Sequence, residues 1–307
     1  MIGPDWHRYL CAGDHSQGPM TVTTSHIARF IRLAGLSALL ALAGCANNTD
    51  LSKALNPDAP EKMYADADNL MSKGKFDEAA KKFEDIDRDH PYAPEARRAL
   101  VMSSFANYKA GKYPEAIAGA ERYTALHSGT KEAALAQHVI ASSHYDEIKG
   151  PNRDQGETRK ALEALKVLKT RYADSQYAKD VDNRIRVCED NLAAAEMEVG
   201  RYYLNKHQYS SAINRFKTVV TEYQTTAHVE EALMRLTEAY MALGITPEAQ
   251  NVAAVLGHNF PESKWYKDAY SLLASGGLEP REQEGNWLQK TWKSLPSLPK
   301  FSLGGPF

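Results

Sequence analysis

Residues 74–86 read GKFDEAAKKFEDI, and the pattern returns at 111–123 as GKYPEAIAGAERY and at 244–256 as GITPEAQNVAAVL. Aligned on one alanine, these copies centre on Ala79, Ala116 and Ala249, with weaker copies at Ala161 (TRKA) and Ala212 (YSSA), at intervals of 37, 45, 51 and 37 residues. Five residues before that alanine stand Gly74, Gly111, Gly156, His207 and Gly244, where a helix must stop and the chain turn through positive φ. Four residues after it come Phe83, Ala120, Leu165, Phe216 and Ala253, and seven after come Ile86, Tyr123, Leu168, Val219 and Leu256. Those offsets draw one apolar stripe along a helix. Twelve residues before the alanine the side chains are small, at Ala67, Ser104, Gly200 and Thr237, where a first helix must approach a second. His90-Pro91 and Phe260-Pro261 then end two of the second helices, because proline cannot continue them.

Helix, tight turn, helix, with small and large residues alternating near a 34-residue period, is the tetratricopeptide (TPR) pattern. The whole body between residues 60 and 274 lacks any run of alternating apolar residues. The reading is all-α: a TPR superhelical solenoid of about five repeats. One helix pair cannot bury its apolar face, but five stacked pairs share a core and leave a groove suited to peptides and partner proteins. The insertion KGPNRDQGE, residues 149–157, reads as loop from its Gly, Pro and Asn content. Val181, Ile185, Cys188, Leu192, Ala195, Val199 and Tyr202 predict one buried stripe on a long helix over residues 178–205. Cys188 on that stripe reads as core, not as a reactive thiol.

Working outward to the N-terminus, ARFIRLAGLSALLALAGC places Arg29 and Arg32 before a short apolar run, the layout of a secretory signal. The run is far shorter than the roughly 20 residues that span a bilayer. It ends in Leu42-Ala43-Gly44-Cys45, which is similar to the bacterial lipoprotein box, so Cys45 is expected to be cleaved free and acylated; the bland alternative is an ordinary cleaved signal beside an incidental cysteine. Several acyl chains on one cysteine anchor stably where one holds only marginally. Ala46 after Cys45 points to the outer membrane, and Met20 is the expected start. The expected organisation is therefore residues 1–44 extension and signal, 45–60 lipidated polar tether, 61–175 repeats one to three, 176–274 the long helix with repeats four and five, and 275–307 a Gly/Pro-rich tail. In the tail, Trp287, Leu288 and Trp292 suit a turn or two of amphipathic helix against a partner or headgroups, with a solvated tail as the alternative.

The charge balance is 37 Lys and Arg against 39 Asp and Glu, which gives no cationic excess for phosphate and excludes a general nucleic-acid binder. Three cysteines in no paired spacing exclude a disulfide scaffold or a cysteine-rich metal site. No His pair stands at H-x-x-x-H, and no H-E-x-x-H, G-x-S-x-G or phosphate-loop motif occurs. Acidic pairs such as Glu196 and Glu198, or Glu230 and Glu231, do not face each other on a helix. No catalytic residue, metal ligand or cofactor is expected, and the chain does not read as an enzyme.

Five strings are more specific than any generic repeat: RDQ at 153–155, RYADSQYAKD at 171–180, LAAAEMEVGRYYL at 192–204, YSSAINRF at 209–216 and PESKWYKDAYSLL at 261–273. With the lipoprotein box they resemble the BamD (ComL) family of outer-membrane β-barrel assembly lipoproteins over about residues 64–273. The resemblance implies a lipid-anchored protein on the periplasmic face of the outer membrane, working in the barrel assembly complex. It implies that the N-terminal repeats receive C-terminal segments of unfolded outer-membrane proteins, and that the C-terminal repeats dock on the last POTRA domain of the barrel subunit BamA, beside accessory assembly lipoproteins. Arg215 matches the family arginine that pairs with an acidic POTRA residue; the alternative is an outward arginine that only solvates. Tyr64, Tyr92, Arg97, Asn107 and Tyr108 are the groove candidates, where aromatic faces and an arginine suit an aromatic terminus and its carboxylate. The chain departs from the family at His90, where Tyr is usual, and at Ser128 and Ala173, where Pro is usual. An alternative is a TPR lipoprotein adaptor coordinating cell-envelope or peptidoglycan assembly, which would be expected to carry heptads before the repeats; residues 46–60 contain none.

Overall fold

The computed structural model describes residues 58–281 together with Trp287 and Leu288. The chain divides into a short unit, Met1–Asp58, and a main unit, Ala59–Phe307, to which every element below belongs. Cys45 and the signal lie outside the described residues. Eleven α-helices follow one another among the described residues, each packed on the next. They are α1 Pro60–Ser72, α2 Phe76–Asp89, α3 Pro94–Lys109, α4 Tyr113–His127, α5 Ala133–Asp146, α6 Gly156–Arg171, α7 Val181–Asn205, α8 Tyr209–Glu222, α9 Val229–Ala242, α10 Thr246–Asn259 and α11 Lys264–Ser275. A 3-10 turn, Gln176–Ala178, precedes α7. Pro60, Pro94, Pro114 and Pro247 occupy first turns, where a missing N–H costs nothing. The Ser263 hydroxyl caps α11 by accepting from the Trp265 N–H at 3.2 Å. No described helix is long and apolar enough to cross a membrane.

Four of the five repeat turns close in the same way. Gly74, Gly111, His207 and Gly244 hold φ of 72°, 76°, 56° and 72°. The next N–H in each turn reaches back five residues: Lys75 to Leu70 O at 3.0 Å, Lys112 to Asn107 O at 2.9 Å, Gln208 to Tyr203 O at 2.9 Å and Ile245 to Tyr240 O at 3.0 Å. This is the Schellman closure, which satisfies orphan carbonyls while reversing the chain. Gly156 does not take this role. It opens α6 with an ordinary φ, and its N–H donates to the Asp154 carboxylate at 2.9 Å, because the insertion replaces the tight turn.

The aligned columns are the core. Ala79, Ala116, Ala161, Ala212 and Ala249 are all fully buried, as are Phe83, Phe216, Ile86, Tyr123, Leu168, Val219 and Leu256. Small residues let the paired helices close, and a Cβ added at Gly200 would stand 2.4–2.8 Å from the Phe216 ring. The core falls into three clusters along the stack, and the second gives way to the third on α7. Val181, Cys188 and Leu192 pack with α3 to α6, whereas Ala193, Met197 and Leu204 pack with α8 to α11. The single stripe expected along this helix therefore fails beyond Leu192: Val199 and Tyr202 are exposed, and Gly200 and Leu204 are buried instead. Stepping from Leu192 to Ala193 turns the buried face by about 100°, since the second partner lies round the helix from the first.

The insertion is ordered by buried Gln155. Its amide donates to the Gly150 and Arg153 carbonyls, both at 3.0 Å, and its oxygen accepts from Thr158 at 2.9 Å and from Asn191 of α7 at 2.6 Å. Beyond α11 the chain turns at Gly277 and runs beside α10, where Arg281 N–H donates to Gln250 O at 3.2 Å. Leu288 is fully buried in the core of α8 to α11, and the Lys217 ammonium lies 4.3 Å from the Trp287 ring centre. These two tail residues thus rest on this chain's own helices rather than in solvent.

The Gly200 contact is testable. Overpacking costs about 1–3 kcal/mol against a gain of about 1 kcal/mol in helix propensity, so Gly200→Ala is expected to lose up to about 2 kcal/mol in urea unfolding. Adding Phe216→Leu should make the alanine less costly than it is in the parent; equal costs in both backgrounds would mean that the two residues are not in tight contact.

Candidate binding surfaces

The first helices of repeats two to four bring an aromatic and cationic cluster together. Phe105, Tyr108 and Lys109 come from α3, His138, Ser142, Tyr145 and Asp146 from α5, Tyr177 from the 3-10 turn and Arg184 from α7. The Tyr108 hydroxyl donates to the Asp146 carboxylate at 2.8 Å. The Arg184 guanidinium donates to Ser142 at 3.0 Å and lies over the Tyr145 ring, 5.0 Å from its centre. The Lys109 ammonium stands 5.4 Å and 5.6 Å from the Phe105 and Tyr108 ring centres. His138 stacks on Tyr177 with ring centres 4.9 Å apart.

The electrostatics follow from this crowding. Burial, with the positive Arg184 and Lys109 close by, pushes the His138 imidazole down to about 4, so it is neutral at pH 7. Burial and the bond to Asp146 push the Tyr108 phenol up to about 12. The fixed positive charges are thus those of Arg184 and Lys109, framed by aromatic faces. Such a site can hold a carboxylate and an aromatic side chain together. Cys188, buried beneath, is pushed up to about 11 and stays a thiol.

Of the five groove candidates, only Tyr108 belongs to this cluster. Tyr64 on α1 packs edge-on against Phe83, with centres 5.2 Å apart, and lies under Arg98 at 5.0 Å. Arg97 does not cover this ring; the arginine over Tyr64 is its neighbour Arg98. Asn107 is buried and donates to Glu84 of α2 at 3.2 Å, a contact between helices of adjacent repeats. Tyr92 is 99% exposed between α2 and α3. His138, Tyr145, Tyr177 and Arg184 are not among the groove candidates that the sequence offers, although His138 and Ser142 sit four residues apart among Ala, Val and Ile, a polar stripe on an otherwise apolar helix.

A second surface lies where repeats three and four meet. A groove of about 440 Å³ is lined by Leu162, Val167, Leu192 and Tyr223, with Arg159 and Lys166 also on its wall. One turn beyond Leu192 on α7, the Glu196 carboxylate accepts from Arg215 of α8 at 3.2 Å. Arg215 is nearly half exposed, so it neither floats in solvent nor is locked away. Glu196 also helps raise the Tyr223 phenol, after burial and Glu222, which places it beside the groove.

Compared with known proteins, the chain matches the family described as YfiO, outer membrane lipoprotein, over residues 57–256, a span that holds α1 to α9 and most of α10. It is similar to the outer membrane protein assembly factor BamD of Caulobacter vibrioides, with 38% identity over 251 residues, 81% of this chain and 82% of that one. Similarity to the factor of the same name from Rickettsia prowazekii is 37% over 242 residues, covering 78% of this chain and 96% of that one. The Neisseria meningitidis serogroup A protein is 30% identical over 244 residues, 75% of this chain and 91% of its own.

The His138 environment sets a pH dependence. Unfolded, His138 takes a proton as pH falls through its ordinary 6.5; folded, it resists until about 4. The unfolded state binds more protons across that window, so His138 contributes stability above pH 6.5 that is lost progressively toward pH 4. Thermal midpoints measured between those pH values should fall less steeply in His138→Gln than in the parent, and parallel curves would count against the assignment.

Proposed function

The chain belongs to the YfiO family of outer membrane lipoproteins, and from that membership we propose that it is a lipid-anchored adaptor in outer-membrane protein assembly. Acylation at Cys45 would hold it at the periplasmic face. The matched relatives are named outer membrane protein assembly factors, which supports an adaptor without catalysis. In this reading the Arg184 and Lys109 cluster receives the aromatic-ended C-terminal segment of an unfolded outer-membrane protein. The groove beside Arg215 seats the POTRA domain of the barrel subunit BamA, with accessory assembly lipoproteins alongside.

The observation that carries this reading is the Arg215–Glu196 pair, whose Glu196 lies one helical turn beyond the groove-lining Leu192. A surface pair of this kind contributes about 0–1 kcal/mol, so Arg215 can exchange Glu196 for a partner's carboxylate at little cost. Once such a pair is desolvated in an interface, removing one partner costs about 2–5 kcal/mol, because the other charge is left buried and unpaired. Charge supports the substrate surface too, since its cations lie among rings and not on an open basic face.

Pull-down from detergent-extracted membranes tests the docking face. Arg215→Glu should lose the barrel subunit, whereas Glu196→Gln, which only frees Arg215, should retain it. Co-purification that survives Arg215→Glu would move the interface elsewhere. For the substrate surface, a labelled peptide ending in Phe with a free carboxylate should bind at least about tenfold more tightly than its amidated form, the size expected of a hydrogen bond to a charged group. Arg184→Gln should abolish that difference; the same difference in the variant would exclude Arg184 from holding the carboxylate.

A further inference from the structure

The insertion between α5 and α6 gathers metal-binding groups that the adaptor reading leaves unused. We propose that His144, Glu147 and Glu157 form a binding site for a divalent transition-metal ion of the zinc class. His144 and Glu147 stand three residues apart at the end of α5, and Glu157 lies in the first turn of α6. One ligand atom from each lies within 4.8 Å of the others. His144 Nδ1 and Glu157 Oε2 are already 2.6 Å apart.

The donor set decides the kind of ion. One imidazole nitrogen and two carboxylates suit zinc, and a water would complete four-coordination. Calcium prefers six to eight oxygens, and magnesium keeps most of its water. Two carboxylates also match the charge of a divalent ion, and both are only half-buried, so an ion can enter. Lys160 donates to the outer oxygen of Glu157 at 2.9 Å, which leaves the inner oxygen facing His144. Around zinc at roughly 2.0 Å from each ligand, neighbouring ligand atoms sit about 3.3 Å apart, so the imidazole and carboxylate would open slightly. Rotation of the Glu157 side chain supplies that.

The backbone that carries these groups is held in place. Gln155 ties the insertion to Asn191 of α7, and Asp154 caps the start of α6. Of the five turns inside repeats this is the one without the left-handed residue, so an ion here would fasten α5 to α6 where the backbone closure is missing. Motif searches pass over the site because the third ligand comes from beyond the loop.

The test uses untagged full-length protein in detergent, stripped with chelator and titrated with zinc chloride, with magnesium and calcium in parallel. One zinc per chain should bind and raise the thermal midpoint, with no response to the other two ions. Glu147→Gln, the variant least able to disturb packing, should keep the parent's circular dichroism and weaken zinc binding at least about tenfold. Lys160→Ala should bind as tightly as the parent or more tightly. No saturable zinc binding, or binding unchanged in both Glu147→Gln and Glu157→Gln, would overturn the proposal.

Discussion

The solenoid depends on how closely two helices can approach directly after the chain reverses. At Gly74, Gly111, His207 and Gly244 a left-handed residue with a backward N–H bond brings the second helix in after a single turn. The fully buried alanines five residues later then allow it to lie against the first helix. Replace either feature and the large residues one and two turns along, such as Phe83 and Ile86 or Phe216 and Val219, could no longer reach their holes. His207 shows that the constraint is conformational and not a matter of glycine as such. Its ring bonds the Tyr209 hydroxyl at 2.9 Å, a local contact that helps offset a backbone state costly for a residue with a side chain.

This dependence explains what was legible in the sequence. Wherever the turn, the alanine and the large residues recur at fixed offsets, each column reports the same contact, and their burial follows. Gly156 falls in the column but not in the role, because the insertion that lengthens the interval from 37 to 45 residues moves the reversal away from it. Val199 and Tyr202 were misread for a related reason. A stripe drawn at helical spacing assumes one partner face, and α7 has two, changing between Leu192 and Ala193.

The candidate site was less legible, and again the cause is geometric. Tyr108, His138 and Arg184 meet from three helices separated by whole repeats, so no local spacing announces them. Adjacent residues on a helix point about 100° apart. Arg97 and Arg98 are therefore equally plausible in a string of letters, yet only Arg98 covers the Tyr64 ring. Asn107 was read as groove-facing when its amide is needed by Glu84. Arg215 was placed by resemblance alone; what sequence could not supply is its partner Glu196, nineteen residues earlier on another helix.

Both surfaces are mounted on α7. Arg184 near its start enters the aromatic cluster, Asn191 holds the insertion, Leu192 lines the second groove, Glu196 pairs with Arg215, and Gly200 receives Phe216. The helix runs 25 residues without proline or a left-handed residue, so it acts as one rod. Arg184 and Glu196 are twelve residues apart, about 18 Å along the axis at 1.5 Å per residue. What such a rod supplies is a fixed distance rather than a signal. In the proposed reading, a segment held at one surface would stay within a constant reach of a partner held at the other, and effective concentration depends on that reach. Packing two cores on faces about 100° apart round one helix is what keeps the distance constant, since neither half can shift its contacts on α7 without opening buried apolar surface.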